Sequence, residues 1–385
     1  AGTFLLCACN SNKNQGGTTG LDNSPVIAER TVNADGDTII TCDLSLVKSD
    51  TLDLPMSLLI SSFELMRLDN NDEALIKENN ATLVALSENY IGIASFTGYQ
   101  LFDRKGNFIA TLARQGQGPN EYVYFIYDSY IDEKNNRVYM LPAMGNSIIV
   151  CDLQGNAQSP VPLPYQTTKA RFLVDAENQT VTIAILPFDD TRPVVWTQDF
   201  GGNIIRELPA GHFVIHPDFS NDLNVFQNAG QFDFSMFRWV AENDTLYHYI
   251  GSDNRLQPVF TLTSQSNDPK QHDYIELPNH YVIRLFETEP AYRYEYILLD
   301  KETLRGGFVR LNLDMLGNIP APFSEMLVFN RGYYVENAYA FEVKEKLEAA
   351  VSNPNLTPEM REYLQKLNNN IDEDDNNIVI IGKLR

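Results

Sequence analysis

The sequence predicts an all-β fold, a six-bladed β-propeller of four-stranded blades with a small helical hairpin inserted in the last blade. Three observations carry that expectation: a turn signature that recurs, strand-like segments on either side of it, and a repeat count that fits the length. The signature reads Asp103-Arg104-Lys105-Gly106-Asn107, then Asp152-Leu153-Gln154-Gly155-Asn156, then Asp199-Phe200-Gly201-Gly202-Asn203. Degenerate copies stand at Asp253 and Asp300. An Asp that hydrogen-bonds its own backbone, followed by a Gly that supplies positive φ, closes a tight hairpin. The marker aspartates are 49, 47, 54 and 47 residues apart, a period typical of blades built from four short strands.

The intervening segments are short, β-rich and bounded by turn residues. Tyr90–Ala94, Arg137–Leu141 and Val181–Ile185 read as strands. Residues 292–296 alternate tyrosine with charge, so the tyrosines share a face. The blade boundaries expected from these signals are 81–112, 122–163, 170–208, 228–262, 274–311 and a last blade from 326. That last blade is split. Val343, Leu347 and Val351 have helical spacing, and Thr357-Pro358-Glu359 is an N-cap followed by proline at the first helical position. Met360, Leu364 and Leu367 continue an apolar stripe, so a helical hairpin is expected at about 342–369. The final apolar run Ile378–Ile381 is expected to close the last blade beside an early strand near Ile60–Leu68. Six such blades fill residues 57–385, whereas a seventh would need 26–56, which is too short and reads as a lead-in.

The N-terminus reads as an address. A short apolar run ends in Leu6-Cys7-Ala8-Cys9 and then turns polar. Residues 1–8 read as the remnant of a signal peptide, and the segment resembles a bacterial lipoprotein cleavage box. The resemblance implies lipid attachment to Cys9, with residues 9–25 as a flexible tether to a membrane surface. The lack of an acidic cluster after Cys9 favours a periplasm-facing envelope lipoprotein over surface export. Cys42 and Cys151 then remain, and nothing local brings them together, which favours two buried thiols over a disulfide.

Composition bounds the function classes. The 385 residues carry 29 Lys+Arg against 51 Asp+Glu, a formal charge of −22, so no cationic face for nucleic acid is expected. His212 and His216 are four apart, but Pro217 and Gly211 argue for loop or strand, where such residues lie about 13 Å apart, too far for one metal. Asp69–Glu73 and Asp372–Asp375 are acidic turns without the glycine and glutamate of an EF-hand loop. No Gly-x-Ser-x-Gly elbow and no phosphate loop occurs. No catalytic residue, metal or cofactor is therefore assigned. The dense aromatics of Phe232–Trp239, Tyr122–Phe125 and Tyr333-Tyr334 read as packing between sheets, with an exposed ring at a loop rim as the alternative.

The segment Arg114-Gln115-Gly116-Gln117-Gly118-Pro119-Asn120-Glu121-Tyr122 resembles the Arg-x-Gly-x-Gly-Pro-Gly-Glu-Tyr junction of six-bladed β-propeller lipoproteins abundant in Bacteroidetes. Those are more distantly similar to NHL-repeat and TolB-like propellers. The tail Asp375-Asn376-Asn377-Ile378 also fits, although Asn-Pro is usual there, and Asn120 stands where the family has Gly. The resemblance implies a propeller and an envelope location. Physically the segment is a crossing between blades, and Arg114, Glu121 and Tyr122 are either its brace or a ligand-binding set. The leading expectation is a non-catalytic module whose loops bind a glycan, peptide or protein partner. One rival is an enzyme, a lyase or hydrolase using carboxylates, Arg or His. Another is a structural subunit docking through exposed Val343, Leu347, Met360 or Leu364.

Overall fold

The computed structural model describes residues 3–6, 20–76, 83–95, 98–118, 120–240, 244–264, 270–287 and 293–385. Six sheets, the four-stranded blades of a β-propeller, account for most of it, and the two helices lie near the C-terminus. Three sheets are consecutive meanders: Leu83–Leu86 to Phe108–Gln115, Ile126–Asp132 to Val161–Thr167, and Ala170–Asp175 to Ile204–Pro209. A fourth runs from Asp222–Asn224 to Arg255–Thr263, and a fifth from Gln271–Glu276 to Gly306–Leu313. The sixth contains Phe329–Asn330, Tyr333–Ala338 and Ile378–Leu384, and its fourth strand is Ile60–Arg67 from the early chain. The expected closure is therefore present: Ser61 Oγ donates to Lys383 O at 3.1 Å, and Arg385 N–H to Leu59 O at 3.0 Å.

The chain divides into two compact units, one of Met66–Val225 with Ile250–Arg255, the other of Leu256–Arg385 with Phe226–Tyr249 and most of the chain before Met66. In the first unit, Tyr99, Leu101, Val138 and Cys151 centre one core, and Phe172, Ile183 and Trp196 another. In the second, the largest core joins Phe63, Leu298, Phe329 and Ile380 to the inward residues of both helices.

The recurring turn is built as its chemistry requires. Asp103 Oδ1 accepts from the N–H groups of Lys105 and Asn107, and Oδ2 from Asn107 Nδ2. Asp152 does the same with Gln154 and Asn156. Gly106, Gly155 and Gly202 hold φ of 85°, 88° and 89°. In the degenerate copy Asp300 still accepts from Glu302 and Thr303, and Leu304 takes φ 58° in place of a glycine. A second turn family joins first to second strands. Asp132 and Asp175 each accept from the backbone and side chain of the Asn three residues on.

Several boundaries move. The second sheet starts at Ile126 rather than 122, because Glu121–Tyr122 pairs in parallel with Phe108–Gln115 of the preceding sheet. The lead-in 26–56 is not a blade, but neither is it irregular. Ala28–Val32 and Thr38–Asp43 extend the fourth sheet, the latter in parallel against Phe260–Thr263. Thr51–Pro55 lies in parallel on Phe308–Asn312 of the fifth. Each covers backbone donors and acceptors that an edge strand would expose. The tether expected to reach residue 25 is fastened from Leu21 onward: Leu21 is fully buried, and Gly306 N–H donates to Pro25 O at 3.1 Å. Thr3–Leu6, within the stretch read as signal remnant, forms a strand in the sixth sheet. Cys7 and Cys9 lie outside the described residues.

The hairpin consists of α1 (Ala340–Val351) and α2 (Pro358–Asn368), and Thr357 Oγ1 caps α2 by accepting from Met360 N–H. Its apolar stripe is not a docking surface. Val343, Leu347 and Leu364 are fully buried and Met360 packs against the same core, so the patch expected by the structural-subunit reading is spent on folding. Cys42 and Cys151 are free and buried. No helix among the described residues is long and apolar enough to cross a membrane.

Candidate functional site

Glu121 and Arg114 are register partners across the short parallel pair, as are Tyr122 and Gln115. Glu121 turns its carboxylate back into the glycine-rich loop and accepts from Gly118 N–H at 2.6 Å. A Cβ at Gly116 would overlap that carboxylate, which is why a glycine stands there. Tyr122 is 2% exposed and donates to Ser95 O at 3.0 Å. Asn120 has φ 59°, the conformation that the resembling junction meets with glycine and that Asn tolerates best among other residues. Glu121 and Tyr122 thus brace the crossing, while Arg114 is exposed at its margin.

The same crossing opens onto a site that sequence spacing does not reveal. In a four-stranded meander, the first-to-second and third-to-fourth turns share one end. The second-to-third loop and the crossing between sheets share the other. In the first unit the turn end carries the two families of Asp turns. The opposite end varies, and it gathers Tyr127, Lys169, Arg171 and Asp222 at the starts of three first strands. Arg171 donates to the carbonyls of Tyr127 and Leu223, and its guanidinium lies 4.6 Å from the Tyr127 ring centre. The Tyr127 hydroxyl donates to the Asp222 carboxylate. Lys169 Nζ donates to Phe219 O at 2.8 Å and Asn221 O at 2.5 Å. Burial, then the neighbouring Arg171 charge, hold the Lys169 ammonium below its usual pKa, with Asp218 opposing. Asp128 ties adjacent first strands by accepting from Phe172 N–H at 3.0 Å.

Rings crown this frame. Phe219 is 69% exposed and packs on Phe188 at 5.7 Å, and Phe125, 38% exposed, packs on Tyr127 at 5.8 Å. Tyr124 beside it is 52% exposed. The other dense aromatics are core: Phe232, Phe234 and Tyr334 are buried, and Trp239 packs on Phe286.

In the second unit, titratable groups cluster at the turn end instead. Glu276 accepts from His248 Nε2 and Lys301 Nζ, each at 2.5 Å. Burial works to raise the Glu276 pKa, but those two partners outweigh it and hold it low. Asp233, the register partner of His248, is pushed up to about 7 by burial and by the Glu276 charge. Its Oδ1 accepts from Phe226 and Gln227 N–H, fixing the loop ahead of it. Asp233 and Glu276 are 2% and 4% exposed, so the cluster acts within the fold. Arg284 and Asp273 form a buried ion pair between register partners. His212, in a single 3-10 turn over Gly211–Phe213, and His216, in the loop after it, are both exposed, and no group of three metal-binding side chains occurs among the described residues.

Among solved structures, a Bacteroides fragilis protein described as exported is similar over 90% of this chain and 99% of its own, with 14% identity and a TM-score of 0.58. A member of the DUF4221 family from Bacteroides vulgatus matches over 83% and 96%, with 9% identity and a TM-score of 0.46. No protein of curated function matches. A domain family of unknown function, DUF4934, matches residues 38–383, and the chain belongs to that family.

Proposed function

We propose that this protein is a non-catalytic recognition propeller of the bacterial cell envelope, held at a membrane by lipid on Cys9 and facing the periplasm, which binds a glycan or peptide through the aromatic rim of its first unit. The observation that carries the reading is the pairing of exposed rings, Phe219, Phe125 and Tyr124, with a frame whose cations are already engaged by main-chain carbonyls. Such a frame holds the rings in place but offers no group poised for acid–base or nucleophilic work. Rings presented at fixed positions stack on the apolar faces of sugars or on side chains at low entropic cost. Arg114 and Glu121 are both exposed at the crossing, where Glu121 also fixes the loop through Gly118 N–H, whereas the buried Tyr122 only positions it. The exported Bacteroides fragilis protein of like fold supports the envelope location. Kinship with NHL-repeat and TolB-like propellers belongs to the same proposal.

The test is binding of the full chain to glycan and peptide arrays, followed by titration of whatever is retained. Phe219→Ala is expected to weaken that binding at least tenfold while leaving the urea midpoint unchanged. Wild-type binding by Phe219→Ala and by the double variant Tyr124→Ala/Phe125→Ala would refute the rim. Palmitate labelling that persists in Cys9→Ser would refute the anchor.

A further inference from the structure

We propose that a cavity beside α1 in the second unit binds a small carboxylate carrying an apolar tail. The cavity, about 350 Å³, lies between the C-terminal half of α1 and the segment from Gly317 to Pro322. That volume falls within the range of small-molecule sites, about 300–1,000 Å³. Its floor is apolar: Ile319, Pro320, Pro322, Ala349 and Ala350. Ala349 and Ala350 stand three and four residues beyond Lys346, on the same helical face. Their small side chains leave open the space that a larger residue would fill.

Lys346 is the charged side chain of the lining. Its Nζ donates to Pro322 O at 2.8 Å and Phe323 O at 3.1 Å, and it lies 4.9 Å from the Phe323 ring centre. An ammonium has three N–H donors, so one remains beyond these two carbonyls. No carboxylate pairs with Lys346 among the described residues. Glu336 acts on it electrostatically, but that carboxyl is buried and taken up by the N–H groups of Phe323 and Ser324 and the hydroxyls of Ser324 and Tyr334. Glu342 and Glu345 act only at longer range from the same helix. Lys346 is therefore a half-buried cation, fixed in direction by two neutral acceptors and lacking a contacting counter-charge. A ligand carboxylate supplies that charge and takes the remaining donor, while its tail covers the apolar floor. The cavity also sits in the second-to-third-strand insertion of its sheet, the loop position that carries variation in the other unit.

The experiment titrates the full-length protein with hexanoate and with 1-hexanol by isothermal calorimetry and protein-observed NMR. Hexanoate is expected to bind at least tenfold tighter than hexanol. Lys346→Met, which keeps the aliphatic stem, is expected to remove that preference. Should that variant fail to fold, Ala350→Leu, which keeps the lysine and fills the cavity, is expected to lower the affinity for both probes at least tenfold. Equal binding of the two probes, no binding of hexanoate, or hexanoate binding unchanged in Ala350→Leu would each overturn the proposal.

Discussion

Replacing the turn glycines one at a time separates backbone strain from crowding. Gly106, Gly155 and Gly202 occupy the same position of the same turn, within 4° of one another in φ. An alanine at such a φ costs about 1–2 kcal/mol in the folded state, partly offset by about 0.4–1 kcal/mol from the stiffer unfolded chain. The three sites differ in what a Cβ meets. At Gly202 it would lie 3.1 Å from Pro162 Cγ and at Gly155 3.0 Å from Ala110 Cβ, tight contacts that need the neighbour to shift by a few tenths of an ångström. At Gly106 it would overlap the Arg67 carbonyl oxygen, and that segment is pinned because Asp69 N–H donates to Gly106 O at 2.9 Å. Overpacking against fixed backbone adds about 1–3 kcal/mol. Gly332, with φ 82° and nothing within 4 Å, supplies the strain-only control. The expected losses are therefore about 0–1.5 kcal/mol for Gly332→Ala, slightly more for Gly202→Ala and Gly155→Ala, and about 1–4.5 kcal/mol for Gly106→Ala. Equilibrium urea unfolding with a common m-value reads the order directly. If Gly106→Ala were no worse than Gly332→Ala, the packing of that turn against Arg67 would be wrong.

Further expectations concern charge and pH. Arg284→Met strands the buried Asp273 carboxylate and should cost about 3–5 kcal/mol, with part of the loss recovered in Arg284→Met/Asp273→Asn; urea midpoints report both. Tyr122→Phe removes the bond to Ser95 O and should cost about 0.5–1.5 kcal/mol without loss of ligand binding. Asp152, Asp175 and Asp199 have depressed folded-state values, through hydrogen bonds from the Asn that each turn supplies. Their contribution is complete above the unfolded value near 3.8 and should vanish as pH falls through the folded values. Asp233 works in the opposite sense. Between 3.8 and about 7 its carboxyl keeps a proton in the folded protein that the unfolded chain gives up, so stability should decline as pH rises across that window. Asp233→Asn should flatten that slope in urea midpoints measured from pH 4 to 8, and an unchanged slope would remove Asp233 as its source.

The fold was legible because its punctuation is local. An Asp, a Gly and an Asn within five residues specify a turn by themselves, and α2 announces itself through Thr357 and Pro358. Two of the three lead-in strands, Thr38–Asp43 and Thr51–Pro55, escaped because they pair in parallel with segments more than two hundred residues away, and Ala28–Val32 joins the sheet only through Thr38–Asp43. The junction was legible as a crossing between blades through Gly116, Gly118 and Glu121, but the sequence did not separate a brace from a ligand-binding set. The frame around Lys169 was not, because Tyr127, Lys169, Arg171 and Asp222 come from three sheets and none has a motif at ligand spacing. One usable signal went unread: Asp132-Asn135 and Asp175-Asn178 mark the first-to-second turns and locate the opposite strand ends by elimination. The hairpin misled for a physical reason. An apolar stripe on a helix says that something covers it, and here the sheet core does.

The division between strand ends explains why the candidate sites lie where they do. A turn whose Asp bonds two backbone N–H groups and an Asn side chain has three of about four carboxylate acceptor sites taken, and most of its residues are fixed by the turn itself. Repeated in the three sheets that carry Asp103, Asp152 and Asp199, it makes that end chemically repetitive. The second-to-third loops and the crossings carry no such obligation, so insertions there do not disturb strand register. The residues that depart from the repeat gather at that end: Phe188 and Phe219 in the first unit, and the helical hairpin with Lys346 in the second. The clustered charges of His248, Glu276 and Lys301 stand at the turn end, where they join a closing loop to its neighbouring strand, and that placement argues for structure. Substitutions that spare the turn aspartates but alter the loop ends should therefore change binding while leaving unfolding midpoints nearly untouched, and the reverse substitutions should do the opposite.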